Sequence, residues 1–234
     1  MPIGQLAGQG MDYNVDIVMC IDATGSMSSI ISEVKANALS FYQKFVDEME
    51  NQDPPKSVEQ LRIKVIVFRD YGCDEKPMEE SEFFVLPAQA AQFNAFVNGI
   101  EVKGGGDIPE NALEAIALAL KSKWTTGGNK RRHAILVFSD AAALPLGTRA
   151  SSAGYPSGMP KDLAELGAWW EGTEQALDST YQPNAGRLVV FAPNAYPWTD
   201  IQAWNRYWPA FSQAGKGLSD VDIQSAIDLL VGSF

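Results

Sequence analysis

The residues best suited to chemistry lie at the end of an apolar run. Residues 16–27 read Asp-Ile-Val-Met-Cys-Ile-Asp-Ala-Thr-Gly-Ser-Met, so the run stops at the carboxylate of Asp22 and then presents hydroxyls at alternate positions, Thr24 and Ser26. Two more carboxylates have similar settings. Asp107 follows Gly104-Gly-Gly and precedes Ile-Pro109-Glu110, and Asp140 follows the apolar run from His133 to Phe138 and Ser139. Carboxylate and hydroxyl oxygens without histidine or thiolate suit a hard divalent ion, Mg²⁺ first, then Mn²⁺ or Ca²⁺. Alternate spacing lets Thr24 and Ser26 reach one side of a loop, Gly25 permits the turn, and the triple glycine lets backbone come close to an ion. Taken alone, Asp22 is explained equally well as a helix cap or turn residue; its company favours the metal.

The elements that must carry these groups follow from periodicity. Val15 to Ile21 is a nearly continuous β-branched apolar run, as for a strand buried on both faces of a parallel sheet. Met27 to Met49 repeats apolar residues at helical spacing, and Ile63 to Phe68 supplies a second buried strand, which together make a βαβ unit. Glu82 to Leu86 reads as a short edge strand and Ala88 to Ile100 as a helix. Pro109 is placed at the first position of a helix running Asn111 to Trp124. His133 to Phe138 is a third buried strand, and a Gly, Pro and Ser rich stretch fills 141–160, longer than an ordinary connection. Helices are expected over Leu163–Leu177, Thr199–Phe211 and, capped by Ser219, through Val231, with a strand at Arg187–Ala192. The fold class is α/β, a doubly wound, Rossmann-like, mostly parallel sheet in a single domain from 14 to 234 after an extension at 1–13. In such a sheet the C-terminal strand ends face one crevice, so Asp22, Asp107 and Asp140 can converge.

Composition narrows the function. Eighteen Lys and Arg against 29 Asp and Glu leave a charge of -11, which repels phosphate backbones and argues against a nucleic-acid partner. Cys20 and Cys73 form no CxxC pair, so no disulfide framework or zinc knuckle is read. No secretion signal or membrane span is seen in the sequence, and a cytoplasmic location without a membrane partner is expected. The triple glycine is not a GxGxxG fingerprint, and no Gly-Lys-Ser/Thr follows it.

The strand-ending Asp-x-Thr-Gly-Ser, the Gly-Gly-Gly-Asp-x-Pro-Glu loop and the strand-ending Ser-Asp together resemble a von Willebrand factor A domain. That family carries a metal-ion-dependent adhesion site at the top of a Rossmann-like sheet. The resemblance implies that Asp22, Thr24 and Ser26 are first-loop ligands and Asp140 the last acid. Asp107 stands where the family usually has threonine, a departure that should hold the cation more tightly while neutralising more of its charge. It implies a non-enzymatic interaction module, in which the metal keeps a position that an Asp or Glu of a protein partner completes. Phe68-Arg-Asp-Tyr-Gly and Met78-Glu-Glu-Ser look most like intracellular bacterial members of tellurite-type stress operons, where kinases and phosphatases are neighbouring partners.

The competing class is a Mg²⁺-dependent phosphohydrolase with Asp22 as nucleophile. Such enzymes resemble Asp-x-Asp-Gly-Thr, and here Thr24 replaces the second acid. Other residues keep two readings. Arg69 and Asp70 lie at the site rim or form a local ion pair; Glu110 supports the ligands or is an acid in the first turn of a helix. His133, the sole histidine, is read as structural. Trp169, Trp170, Trp198, Trp204 and Trp208 are read as core before docking patch.

Overall fold

β1 (Asp12–Asp22) is buried along almost its whole length, and it is the centre of a sheet that its neighbours complete on both sides. The computed structural model describes residues 12–103, 109–212, 218 and 221–234. Among them, the other strands are β2 (Ser57–Phe68), β3 (Met78–Glu80), β4 (Phe84–Leu86), β5 (Lys130–Phe138), β6 (Gly186–Pro193) and β7 (Tyr207–Ser212). They form one sheet in the order β3-β2-β1-β5-β6-β7, with β4 also on β2. β1 pairs in parallel with β2 and β5, and β6 and β7 continue the parallel run, whereas β3 and β4 are antiparallel to β2. The sheet is mixed, mostly parallel and doubly wound.

Alternate side chains of each strand enter two different apolar layers, which is why both faces must be covered. Val15, Ile17, Met19 and Ile21 of β1 pack with α1 (Ser28–Asn37), α2 (Phe41–Glu50), α3 (Ala90–Gly99) and α6 (Ile223–Gly232). Val18 and Cys20 face the other layer, with α4 (Ala112–Leu120) and α5 (Leu163–Glu171). Among the described residues, no helix is long and apolar enough to cross a membrane. Cys20 is buried and Cys73 exposed, and neither is in a disulfide.

Several expected elements change. The helical stretch from Met27 to Met49 is two helices: the chain turns at 38–40, and Leu39 is 62% exposed rather than part of the apolar stripe. The edge strand is shorter than Glu82–Leu86, and β3 was not expected. Pro109 is not at the first position of a helix, because Asn111 is the N-cap of α4 and Glu110 bridges to Ala143 instead. α5 stops before Leu177, since Gly172 adopts φ 77° and reverses the chain. The helix expected over Thr199–Phe211 is a 3₁₀ turn, Asp200–Ala203, followed by β7, because the backbone of Tyr207–Ser212 pairs with the open edge of β6. Ser219 lies outside the described residues; α6 is capped by Asp222, whose carboxylate accepts from the Ser225 amide at 2.7 Å.

Candidate metal centre

Register explains how distant residues meet. Ile21 lies opposite Phe138, and Asp22 lies opposite Phe68, so the C-terminal ends of β2, β1 and β5 are level. Successive connections leave β1 toward β2 on one side and β5 on the other, which makes the β1–β5 junction the switch point where open sheets hold ligands. Asp22 and Ser139-Asp140 stand at that junction.

The loop after β1 is shaped by its own carboxylate. Asp22 Oδ1 accepts from the Thr24 amide at 2.9 Å and from Thr24 Oγ1 at 2.7 Å. Thr24 Oγ1 lies 3.4 Å from Ser26 Oγ, so the two hydroxyls share one side of the turn. The Ala23 amide donates to the Phe68 carbonyl at 3.1 Å and the Ala23 carbonyl accepts from the Lys103 amide at 3.1 Å, which ties the loop to both flanks. From β5, Ser139 Oγ reaches Asp22 Oδ2 at 3.2 Å. Asp22 and Thr24 are buried, Asp140 is half-buried and Ser26 is exposed, a gradient running from the sheet end to solvent. Asp107 and the glycines before it lie outside the described residues. Among the described residues no group of three or more His, Cys, Asp and Glu is spaced to hold an ion directly.

The local field calls for positive charge. Burial raises the Asp22 carboxyl to about 6 despite the Thr24 and Ser139 hydrogen bonds, and the Asp140 charge adds to the rise. Glu110 is 1% exposed, and burial together with Asp22, Asp70, Asp74 and Asp140 pushes it to about 8. Among the described residues its Oε2 has no hydrogen-bond partner. Carboxylate and hydroxyl oxygens gathered at the sheet edge, grading from buried to exposed, fit a hard divalent cation: Asp22, Thr24, Ser26 and Asp140 are the described groups that could hold it.

Arg69 pairs locally with Glu79, whose side chain is open to solvent, whereas buried Asp70 pairs with Arg149 from a distant part of the chain. Arg69 donates to Glu79 Oε1 at 3.0 Å and to the carbonyls of Lys76 and Glu101 at 2.8 and 2.6 Å. Asp70 accepts two bonds from Arg149, Nε at 2.8 Å and Nη2 at 2.6 Å, so it clamps the 141–160 stretch to the end of β2. Tyr155 of the same stretch donates to Glu114 Oε1 at 2.9 Å and packs on Tyr71 at 5.2 Å. Glu114, fully buried in the otherwise apolar α4, was not singled out beforehand; one acid amid Ala, Leu and Ile was the available signal. Arg149 had none, because its partner is 79 residues away. For Ser139 the sequence signal is only its place beside Asp140 at the end of β5.

His133 is structural. Its Nδ1 accepts from the Gln182 amide at 3.2 Å, which leaves Nε2 to donate to the Thr125 carbonyl at 2.9 Å, and the ring stacks on Trp124 at 5.0 Å. Trp169, Trp170 and Trp198 are buried in the α4–α5 layer and Trp204 and Trp208 are half-buried.

Comparison with known proteins gives partial likenesses. The pilus adhesin SpaC of Lactobacillus rhamnosus GG aligns with 94% of this chain at 11% identity and TM-score 0.47, and the chain spans 29% of the adhesin. Proximal thread matrix protein 1 of the mussel byssus, solved with a zinc-occupied MIDAS motif, aligns with 95% of this chain at 12% identity and TM-score 0.46, over 47% of its own length. The vWF domain of the type V pili tip protein Mfa5 from Porphyromonas gingivalis aligns over 94% of both chains at 12% identity and TM-score 0.48. At such TM-scores these likenesses carry no argument about binding. No curated protein matches the sequence. Residues 75–146, from the turn after β2 to the loop after β5, match the family model of the von Willebrand factor A domain, a span that takes in Asp107, Glu110 and Asp140 but not Asp22, Thr24 or Ser26.

Proposed function

We propose that this chain is a metal-dependent protein-interaction module without catalytic activity. Asp22, Thr24, Ser26 and Asp140, with Asp107, hold a divalent cation, Mg²⁺ in the first instance. The ion supplies a coordination position that a carboxylate of a partner protein completes. The observation that carries this reading is the meeting of Asp22 and the Ser139-Asp140 pair at the β1–β5 switch point, with two loop hydroxyls 3.4 Å apart beside them. The family-model match over residues 75–146 supports it.

The partner is an acidic surface of a protein, for which a kinase or phosphatase of a bacterial stress system is the proposed class. The 141–160 stretch, held by Arg149 and Tyr155, borders the site and shapes partner choice.

Calorimetry with Mg²⁺ tests the assignment. Asp22→Ala and Asp140→Ala should each lose Mg²⁺ binding while retaining the wild-type circular dichroism spectrum. Undiminished affinity in both variants would remove the site. A Mg²⁺-dependent phosphatase turnover abolished by Asp22→Asn would replace the binding reading with the hydrolase one.

A further inference from the structure

Glu110 lies in the backbone that joins two of the site's loops. Its amide donates to the Ala142 carbonyl at 3.3 Å and its carbonyl accepts from the Leu144 amide at 2.8 Å, forming a bridge to the segment just after Asp140. The next amide, that of Asn111, donates to the Arg69 carbonyl at 3.3 Å, at the end of β2. Glu110 is therefore fixed between the loops that leave β2 and β5, on both sides of which the chain is anchored.

Among the described residues its side chain makes no hydrogen bond. A first-turn role is excluded, because α4 begins at Ala112 and Asn111 is its N-cap. Oε2 is buried and accepts nothing. The surrounding charges that act on it are Asp22 most strongly, then Asp70, Asp74 and Asp140, all of its own sign. Arg69 gives its Nη1 and Nη2 to Glu79 and to the Lys76 and Glu101 carbonyls, leaving Nε without a partner among the described residues, and Arg149 gives Nε and Nη2 to Asp70. A buried carboxyl with a bare oxygen, in the field of Asp22 first and of three further acids, is arranged for a positive charge that no hydrogen bond among the described residues supplies.

Building on the metal reading above, we infer that Glu110 is a further carboxylate of that site, acting on the cation through a water molecule that it holds. Direct contact is disfavoured, since no three described acids are close enough to share one ion. Glu110 is thus a positioning residue: it orients a water of the ion and adds negative field, while Asp22 and Asp140 touch the metal.

Glu110→Gln keeps the shape and removes the charge. Mg²⁺ calorimetry and thermal melting in EDTA or Mg²⁺, run beside wild type and Asp22→Ala, separate the possibilities. Loss of partners of this kind weakens metal binding by about 10- to 100-fold. Glu110→Gln should weaken Mg²⁺ by at least about tenfold, melt no lower than wild type in EDTA, and lose most of the Mg²⁺-induced rise in Tm. Wild-type affinity in Glu110→Gln alongside a loss in Asp22→Ala overturns the role of Glu110 and leaves the site standing. Wild-type affinity in both overturns the site itself. A variant that melts lower in EDTA but keeps the full Mg²⁺ rise shows a structural residue and also overturns the inference. Glu110→Met, similar in length and without an oxygen or charge, is read in the same way if the amide is poorly accommodated.

Discussion

Removing Arg149 should loosen the 141–160 stretch from the sheet, and the loss can be sized from the clamp. Asp70 is 1% exposed and accepts Nε and Nη2 of Arg149 at 2.8 and 2.6 Å, whereas the Arg149 side chain is 30% exposed. Breaking a fully buried pair costs about 3–5 kcal/mol, and an exposed pair contributes about 0–1. The half-open guanidinium places Arg149→Met between them. Asp70 also keeps the Gly72 amide at 2.7 Å and the Cys73 thiol at 3.5 Å, so its charge is not left bare. A loss of roughly 2 kcal/mol follows, worth about 4–8 °C in Tm for a chain of this size. Urea unfolding of wild type, Arg149→Met, Asp70→Asn and the double variant gives the coupling directly, expected at about 1–2 kcal/mol. Chymotryptic cleavage near Tyr155 should quicken in parallel. The pH dependence has a definite sign. Burial acts to raise the Asp70 carboxyl, but Arg149, the Gly72 amide and Cys73 together hold it below the usual carboxylate range. The contribution is therefore present above the unfolded-state pKa and is lost as pH falls through the lower folded value. A change under about 0.5 kcal/mol, or additive single effects, would refute the clamp.

Two other outcomes are expected. Burial draws His133 down to about 4 from 6.5, so the folded state binds fewer protons between those values. Its contribution is intact above about 6.5 and on the order of 3 kcal/mol is lost as pH falls to about 4; His133→Gln should flatten that limb of the stability curve by equilibrium unfolding. At Gly172, φ is 77° and a Cβ would stand 2.3 Å from Pro183 Cγ, so Gly172→Ala should lower stability by about 2–4 kcal/mol in the same assay.

Within the sequence, periodicity was sufficient wherever a segment's surroundings are implied by its own composition. β1 and β5 are apolar on both faces, which required a covered parallel sheet, and a parallel sheet brings strand ends such as Asp22 and Asp140 together. The first-loop trio needed only i, i+2 spacing. Where two periods fit the same letters, sequence was not enough. Ile201, Trp204, Trp208 and Phe211 are compatible with a helical stripe, yet Tyr207–Ser212 became β7 because the edge of β6 offered backbone partners. Met27 to Met49 kept one apolar stripe except at Leu39, and there the chain breaks into α1 and α2.

That Asp22 and Asp140 end adjacent strands, with Thr24 and Ser26 on one side of the loop after β1, was thus legible from residue type, spacing and strand order; their role as ligands is the proposal above. Only the tertiary structure decided what surrounds them: that Asp70 is satisfied by Arg149, that Glu114 is buried beneath Tyr155, and that Glu110 is enclosed with a bare oxygen among like charges. The physical reason is range. Periodicity records which face of a local element is apolar, whereas hydrogen-bond satisfaction and the balance of buried charge depend on groups brought together across the chain, which no local pattern specifies.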